Sequence, residues 1–565
     1  MMRESTQSKL ARTREPRVNI TYDVAVGGAI EIRSLPFVLG VLSDLSGAPS
    51  EPKMNWKFVE INWDNFNDVL AGMKPRLVFA VDDLLTGGGS KLRVELHFRH
   101  MQDFEPLQVV NQVKPLADLL AARQQLVGDK TDIEEDRENL AAIDDLLSRQ
   151  LSRILHAPEY QKLEASWRGL YYLVSQTETG TMLKIRVLNV SKRVLLKDFE
   201  RAIEVDQSRL FKHVYEEEYG TFAGTPFGAL IGDYEFEGDP RDINLLVRLS
   251  RVATIAQAPF IAAASSRLFN VDSFNELNSR RDLAEIFNTP AYAKWREFRN
   301  SEDSRYVGLT VPRILMRLPY DPWQSPVSSF HMAEDAEENG RHFLWGNAAY
   351  AFGVCLMNAF AKYHWCAKIR GVEGGGLVER LPVWTFQTDE GEPALKCPVE
   401  VAITDRREKE FADLGFIPLV HCLGTDYAAF FSAYSCNLPR KYDSDPANAH
   451  ARLAGQLQCV MTTSRFAHYI KVITRDMIGS FVSRGDCERF LNRWILNYVN
   501  SDADDEASPA VKAQFPLREA RIDVSEVPGK PGAYMAVLFL RPYFQLDELS
   551  LSLRLIVELP APVHL

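Results

Sequence analysis

VNITYDVAV, residues 18–26, sets Val18, Ile20, Tyr22, Val24 and Val26 against Asn19, Thr21, Asp23 and Ala25. A period of two marks a β-strand with one buried face. Gly27 and Gly28 end it, and the next apolar run, residues 35–42, follows closely, so residues 27–31 read as a tether between the strand and its body. The far end of the chain mirrors this. Gly529 and Gly532 punctuate two further strands, residues 533–541 and 549–559. In the second, LSLSLRLIVEL, Leu551, Leu553, Leu555, Val557 and Leu559 share one face while Ser552, Arg554 and Glu558 lie on the other. A strand with an open edge invites pairing with another chain, so a protein with one at each end covers them or uses them to join copies. Val18, Ile20, Tyr22, Val24, Leu538, Leu540, Leu551, Leu553, Leu555 and Val557 are therefore the candidate strand-exchange residues, with Gly27 and Gly28 as tether.

Inward from the first strand, residues 57–98 read as a small α+β unit ending in Leu92, Val94, Leu96 and Phe98, which alternate with Arg93, Glu95 and His97. Asp103 is placed to cap a helix bearing Val109, Val113, Leu116, Leu120 and Val127, which Gly128 stops. Thr131 and Glu134 make a capping box for a second helix with Leu140, Ile143, Leu147, Leu151 and Ile154 on its apolar side. Residues 103–156 are thus expected as a helical hairpin with an acidic outer face, and the domain boundary is placed there. Beyond residue 158, strands at 184–190, 227–234 and 259–264 and a helix at 245–255 alternate without a repeat. The expected fold is α+β (mixed α/β), with parts 1–127 and 159–565 joined through a helical junction, 128–158.

A chain of 565 residues exceeds the size at which one core usually stops growing. Its formal net charge of -11 argues against a surface built to neutralise phosphates, so no nucleic-acid partner is expected. Residues 3–17 carry Arg3, Lys9, Arg12, Arg14 and Arg17 without an apolar run fit for a signal peptide or a membrane span, and read as a solvated arm. All seven cysteines lie at Cys355 or later without a C-x-x-C pair, as in a reducing cytosol.

Catalytic chemistry finds little support. GVEGGG at residues 371–376 supplies Gly371, Gly374, Gly375 and Gly376 but lacks the Lys-Ser/Thr of a phosphate loop and the spacing of a dinucleotide fingerprint, which favours a bend or tight packing. His364, Cys366, His421, Cys422 and His468 would need to converge in space to act as a Cys–His pair, and read as core or rim residues. The runs at 301–306 and 405–410 mix both signs of charge, as fixed ion pairs do, and Trp295, Trp345, Trp365 and Trp384 read as core. No cofactor, metal or catalytic residue is expected.

Longer runs carry a resemblance. QKLEASWRGLYYLV from Gln161, LKIRVLNVSK from Leu183, FKHVYEEEYG from Phe211, IGDYEFEGDP from Ile231, APFIAAASS from Ala258, SEDSRYVGLTVPR from Ser301, FLWGNAAYAF from Phe343, IRGVEGGGLVE from Ile369, TDRREKEFADLGFIPL from Thr404 and FLRPYFQLDELSLSLRL from Phe539 are similar to the large sheath subunit of type VI secretion systems, the VipB (TssC) family. REPRVNITYDV from Arg14, LPFVLGVLSDLSG from Leu35 and MKPRLVFAV from Met73 resemble the small sheath subunit, the VipA (TssB) family. Two partners look fused.

The resemblance implies a non-enzymatic, cytoplasmic protomer of a Gram-negative bacterium. Its copies polymerise around the Hcp inner tube on a baseplate, exchange terminal strands, and contract to propel the tube. The helices usual at the joint are shortened here, which puts recycling by the unfoldase ClpV in doubt. The alternatives are a phage-tail or extracellular injection sheath and, from another class, a cytosolic enzyme using the 371–376 loop.

Overall fold

The computed structural model describes residues 20–26, 29–47, 56–86, 89–128, 134–221, 224–279, 282–323, 325–336, 342–387, 393–476, 484–500, 515–526, 534–542 and 553–558. β1 (Tyr22–Val26) and β2 (Ala29–Arg33) form an antiparallel hairpin. β3 (Phe37–Ser43) and the short β4 (Val59–Ile61) enter a central sheet, while β5 (Arg76–Asp82) and β6 (Lys91–His97) pair outside it. β7 (Leu183–Asn189), β8 (Phe227–Phe236), β9 (Phe260–Ala264) and β10 (Val307–Val311) return to that sheet. Two small pairs, β11 (Ile314–Arg317) with β12 (Leu344–Gly346) and β14 (Trp384–Gln387) with β15 (Pro393–Lys396), flank β13 (Leu377–Val378) in sequence. β16 (Ile417–His421) and β17 (Ala428–Phe430) complete the sheet, and β18 (Leu517–Glu526), β19 (Tyr534–Pro542) and β20 (Leu553–Glu558) form a separate one.

The central sheet runs β13-β17-β16-β10-β9-β8-β3-β7-β4. Its middle strands, from β16 to β7, are parallel, and β4, β17 and β13 are antiparallel additions at the edges. Parallel strands covered on both faces read as continuous apolar runs, as FVLGVLS of β3 and FIAAA of β9 do, each buried throughout. Alternate residues of β3 feed opposite cores: Phe37, Leu39 and Val41 join one, Val38 and Leu42 the other. Gly40 between them has no room for a side chain, since an added Cβ would meet Leu230 Cδ2 at 2.7 Å.

β3 belongs to the expected first part of the chain and lies between β7 and β8 of the second, so the two parts share one sheet. The helical junction is equally integrated. Leu116 and Leu120 of the Lys114–Gly128 helix and Leu147, Leu151 and Ile154 of the Glu134–Leu155 helix are buried in the same core as Trp167 and Tyr350. The single helix expected after Asp103 is two, Pro106–Gln112 and Lys114–Gly128, with Val113 extended between them. Pro115 has no N–H to offer the preceding turn, which accounts for the break. Asp103 sits in a preceding 3-10 turn and accepts from the Arg99 and His100 N–H groups instead.

Along the Glu134–Leu155 helix, a strap at 329–335, which begins in a turn at Ser329 and runs on outside regular secondary structure, is held by a polar stripe. The His331 N–H donates to Asp144, the Ala333 N–H to Ser148 and the Asp335 N–H to Ser152, while His156 Nε2 lies 3.0 Å from Glu334. Four helical residues rise about 6 Å and two extended residues about 6.6 Å, so the two repeats stay in step. Arg123 of the Lys114–Gly128 helix adds a forked ion pair to Asp144 and a hydrogen bond to the Ser329 carbonyl. At the end of the strap Arg317 lies buried between Glu164 and Glu334. Burial alone would raise the Glu334 carboxyl, but Arg317 and His156 pull it down to about 2.

Candidate assembly surface

The legs of the β1–β2 hairpin stand on one aromatic platform. Leu457–Asp476 is a helix buried from Leu457 to Arg475, and it presents Arg465 and Tyr469, one turn apart, to the chain on either side of the hairpin. The Tyr469 hydroxyl accepts from the Leu35 N–H at 2.9 Å and donates to the Ile20 carbonyl at 2.7 Å, bridging the outgoing and returning legs. The Arg465 guanidinium stacks over Tyr469 and Phe360 and donates to the carbonyls of Leu35 and Pro36. From the Arg484–Leu496 helix and the residues after it, Trp494 Nε1 donates to the Thr21 carbonyl, and the Tyr498 hydroxyl engages both the N–H and the carbonyl of Thr21. Tyr22 packs edge-on to Tyr469 and donates to Asp476; burial first, and that carboxylate second, push its hydroxyl up to about 12.

The same apolar cluster extends into the carboxyl-terminal sheet. Ile20, Tyr22 and Leu35 share it with Phe466, Trp494 and Tyr498, and with Leu517, Ile522, Val524, Ala536, Leu538 and Leu540. Cross-strand register sets Ile522 opposite Leu538 and Leu538 opposite Leu555, and likewise Val524 opposite Ala536 and Ala536 opposite Val557. β18 and β20 each pair with β19 on one side only. Among the described residues their outer edges carry no further strand, apart from one bridge between Leu517 and Val499.

Residues 137–437 match the family described as EvpB/VC_A0108, tail sheath N-terminal domain, and residues 446–559 its tail sheath gpW/gp25-like domain. Residues 10–157 match the family described as type VI secretion system, VipA, VC_A0107 or Hcp2. The chain belongs to the type VI secretion sheath family. It is 45% identical over 470 residues to the type VI secretion system sheath protein TssC1 of Pseudomonas aeruginosa, covering 82% of this chain and 94% of that protein. It is 47% identical over 125 residues to the sheath protein TssB1 of the same organism, covering 22% of this chain and 72% of that protein. Small and large sheath subunits are thus joined in one polypeptide, and the two family matches overlap at residues 137–157, along the Glu134–Leu155 helix and the two residues after it.

Of the strand-exchange candidates in this sheath protein, Ile20, Tyr22, Leu538 and Leu540 are buried in the terminal cluster. Val24 lies on β1 opposite Glu31, and Leu553, Leu555 and Val557 lie on β20 opposite Leu540, Leu538 and Ala536. Val18, Gly27, Gly28 and Leu551 lie outside the described residues. The platform residues Arg465, Tyr469, Trp494 and Tyr498 escaped sequence reading. The i,i+4 spacing of Arg465 and Tyr469 marks a helix face and Tyr498 follows the helix that carries Trp494, but all four read as ordinary core until the main chain they hold is known.

The other candidates have local partners. The Gly371 N–H donates to the Phe430 carbonyl, the Gly376 N–H to the Gly371 carbonyl, and the Phe430 N–H to the Gly376 carbonyl. A Cβ on Gly376 would lie 2.4 Å from the Phe430 oxygen, so this glycine is required by close packing on β17. His364, Cys366 and His468 do line one cavity, but it measures about 10 Å³, room for one water at most and none for a substrate. His468 bonds the Gln257 carbonyl, and burial, Arg465 and Lys471 hold its pKa down to about 3, so it is neutral. His421 bonds the Thr425 carbonyl. Trp295 and Trp365 are core, as expected.

Proposed function

We propose that this chain unites the small and large parts of a sheath protomer in one polypeptide, which polymerises around the Hcp inner tube on a baseplate and contracts to propel it for effector delivery. The support is the pairing of an anchored root with strand edges that carry no further strand among the described residues: the β1–β2 hairpin and the β18–β20 sheet share one apolar cluster, and β18 and β20 each pair with β19 on one side. A neighbour's strand added there would be held by main-chain hydrogen bonds, with alternate apolar residues fixing its register. The named relatives TssC1 and TssB1 are sheath proteins, which agrees with a structural role in the cytoplasm and without catalysis. The joint, shortened relative to separate subunits, argues against recycling by ClpV.

Contraction needs two packings of the same protomers and no nucleotide, with the energy set by the difference between interfaces formed and lost. About a few kcal/mol per protomer is enough when many copies repack together. Fusion holds the two parts at one to one and makes their encounter intramolecular. The expressed chain alone should form hollow tubes in negative-stain micrographs. Adding two or three residues between Gly27 and Gly28 should leave assembly intact and block shortening, because the tether couples one ring to the next; variant sheaths that still shorten would refute the coupling.

A further inference from the structure

At the outer end of the central sheet, where β4 leaves β7, lies a groove of about 680 Å³ lined by Glu60, Trp63, Asp64, Glu178, Thr181 and Lys184 among others. Its charge is acidic. Lys184 is committed to Glu60 at 3.1 Å, while Asp64 and Glu178 have no ion pair among the described residues. Trp63 is 58% exposed and leans on Tyr171 with ring centroids 5.5 Å apart, giving the groove an apolar wall beside its carboxylates.

The chain itself supplies the complement. Residues 1–19, outside the described part, carry Arg3, Lys9, Arg12, Arg14 and Arg17 against Glu4 and Glu15, a net charge of five minus two, or +3. They join the structure at Ile20, beside the loop that walls the groove. Ile20, Ser34 and Met182 line one small cavity, and Thr181, the next residue of that loop, lines the groove on its other side. The loop is fixed there, because the Phe37 N–H donates to the Met182 carbonyl at 2.9 Å. An extended chain covers about 3.3 Å per residue, so the arm can pass over this loop well before its basic residues are used up.

We infer that residues 1–17 dock in the Glu60–Asp64–Glu178 groove of their own protomer, with arginines against the carboxylates. The docked arm covers the outer end of an otherwise open sheet, an edge that would compete with the terminal strands for neighbouring copies. Only the terminal sheet and hairpin are then left to join copies.

Timed trypsin digestion of the full-length chain, followed by mass spectrometry, tests this at Lys9 and Arg12. Cleavage there should be at least tenfold slower than in a free peptide of residues 1–19, independent of protein concentration. Both 0.5 M salt and the double substitution Asp64→Lys with Glu178→Lys should restore it; the salt arm needs no altered fold. Cleavage as fast as in the free peptide, indifference to both treatments, or protection lost on dilution, which would place the arm in a neighbour's groove, overturns the inference.

Discussion

The central sheet and the carboxyl-terminal sheet differ in how their strands are covered and paired. β3 lies in the middle of the central sheet, paired on both sides and buried along its whole length. β19 instead alternates buried and partly buried residues while β18 leaves Glu519, Arg521 and Glu526 exposed, and among the described residues the sheet they form with β20 ends at β20 on one side and β18 on the other. A strand paired on both sides can only hold a protomer together. A strand paired on one side, rooted on a rigid helix, has main-chain groups left for a second copy.

Aspartate substitution separates these roles most sharply. Leu39→Asp places an unpaired charge in β3 and should cost the protomer more than about 4 kcal/mol, seen as loss of folded protein in denaturant titration. Leu538→Asp in β19 should leave the central body folded and abolish sedimentable tubes. Equal effects on folding from both would break the distinction.

An acid titration bears on the joint between the two parts. The Glu334 carboxyl is held at about 2 against an ordinary 4.5, so it binds its proton less readily in the folded state than in the unfolded one. Its contribution is complete above pH 4.5 and is lost as pH falls toward 2, amounting to about 3 kcal/mol. Glu334→Gln should flatten that part of the stability–pH profile, and an unchanged profile would remove the Arg317 cluster from the account.

The smallest effect is expected at the hairpin root. Tyr469→Phe removes the hydroxyl shared by Leu35 and Ile20, two hydrogen bonds worth about 1 kcal/mol each. Exchange of the Leu35 amide should quicken by about thirtyfold while amides of β9 keep their rate. Equal change in both would mean that the root and the central sheet open as one unit.

Tyr22–Val26 and Tyr534–Pro542 were readable because alternation and glycine punctuation are local properties, whereas β2, read as part of a tether, and β18, whose charged residues interrupt its apolar ones, were not. β3 was visible as an apolar run, but its place between β7 and β8 was not. Those pairings join residues 146 or more positions apart, and periodicity carries no strand order. The strap at 329–335 was hidden for a related reason: Ser148 and Ser152 are unremarkable on a helix until their distant acceptors and donors are placed. His468 illustrates the converse, a residue with catalytic chemistry whose burial and cationic neighbours make it a neutral structural group.

A helical reconstruction of the tubes at side-chain resolution tests the central claim most directly. The account predicts that a strand from an adjacent protomer continues the sheet beyond β18 or β20, with the hairpin root still seated on Tyr469 and Tyr498. Tubes in which both outer edges face solvent, with copies joined through other surfaces, would contradict it.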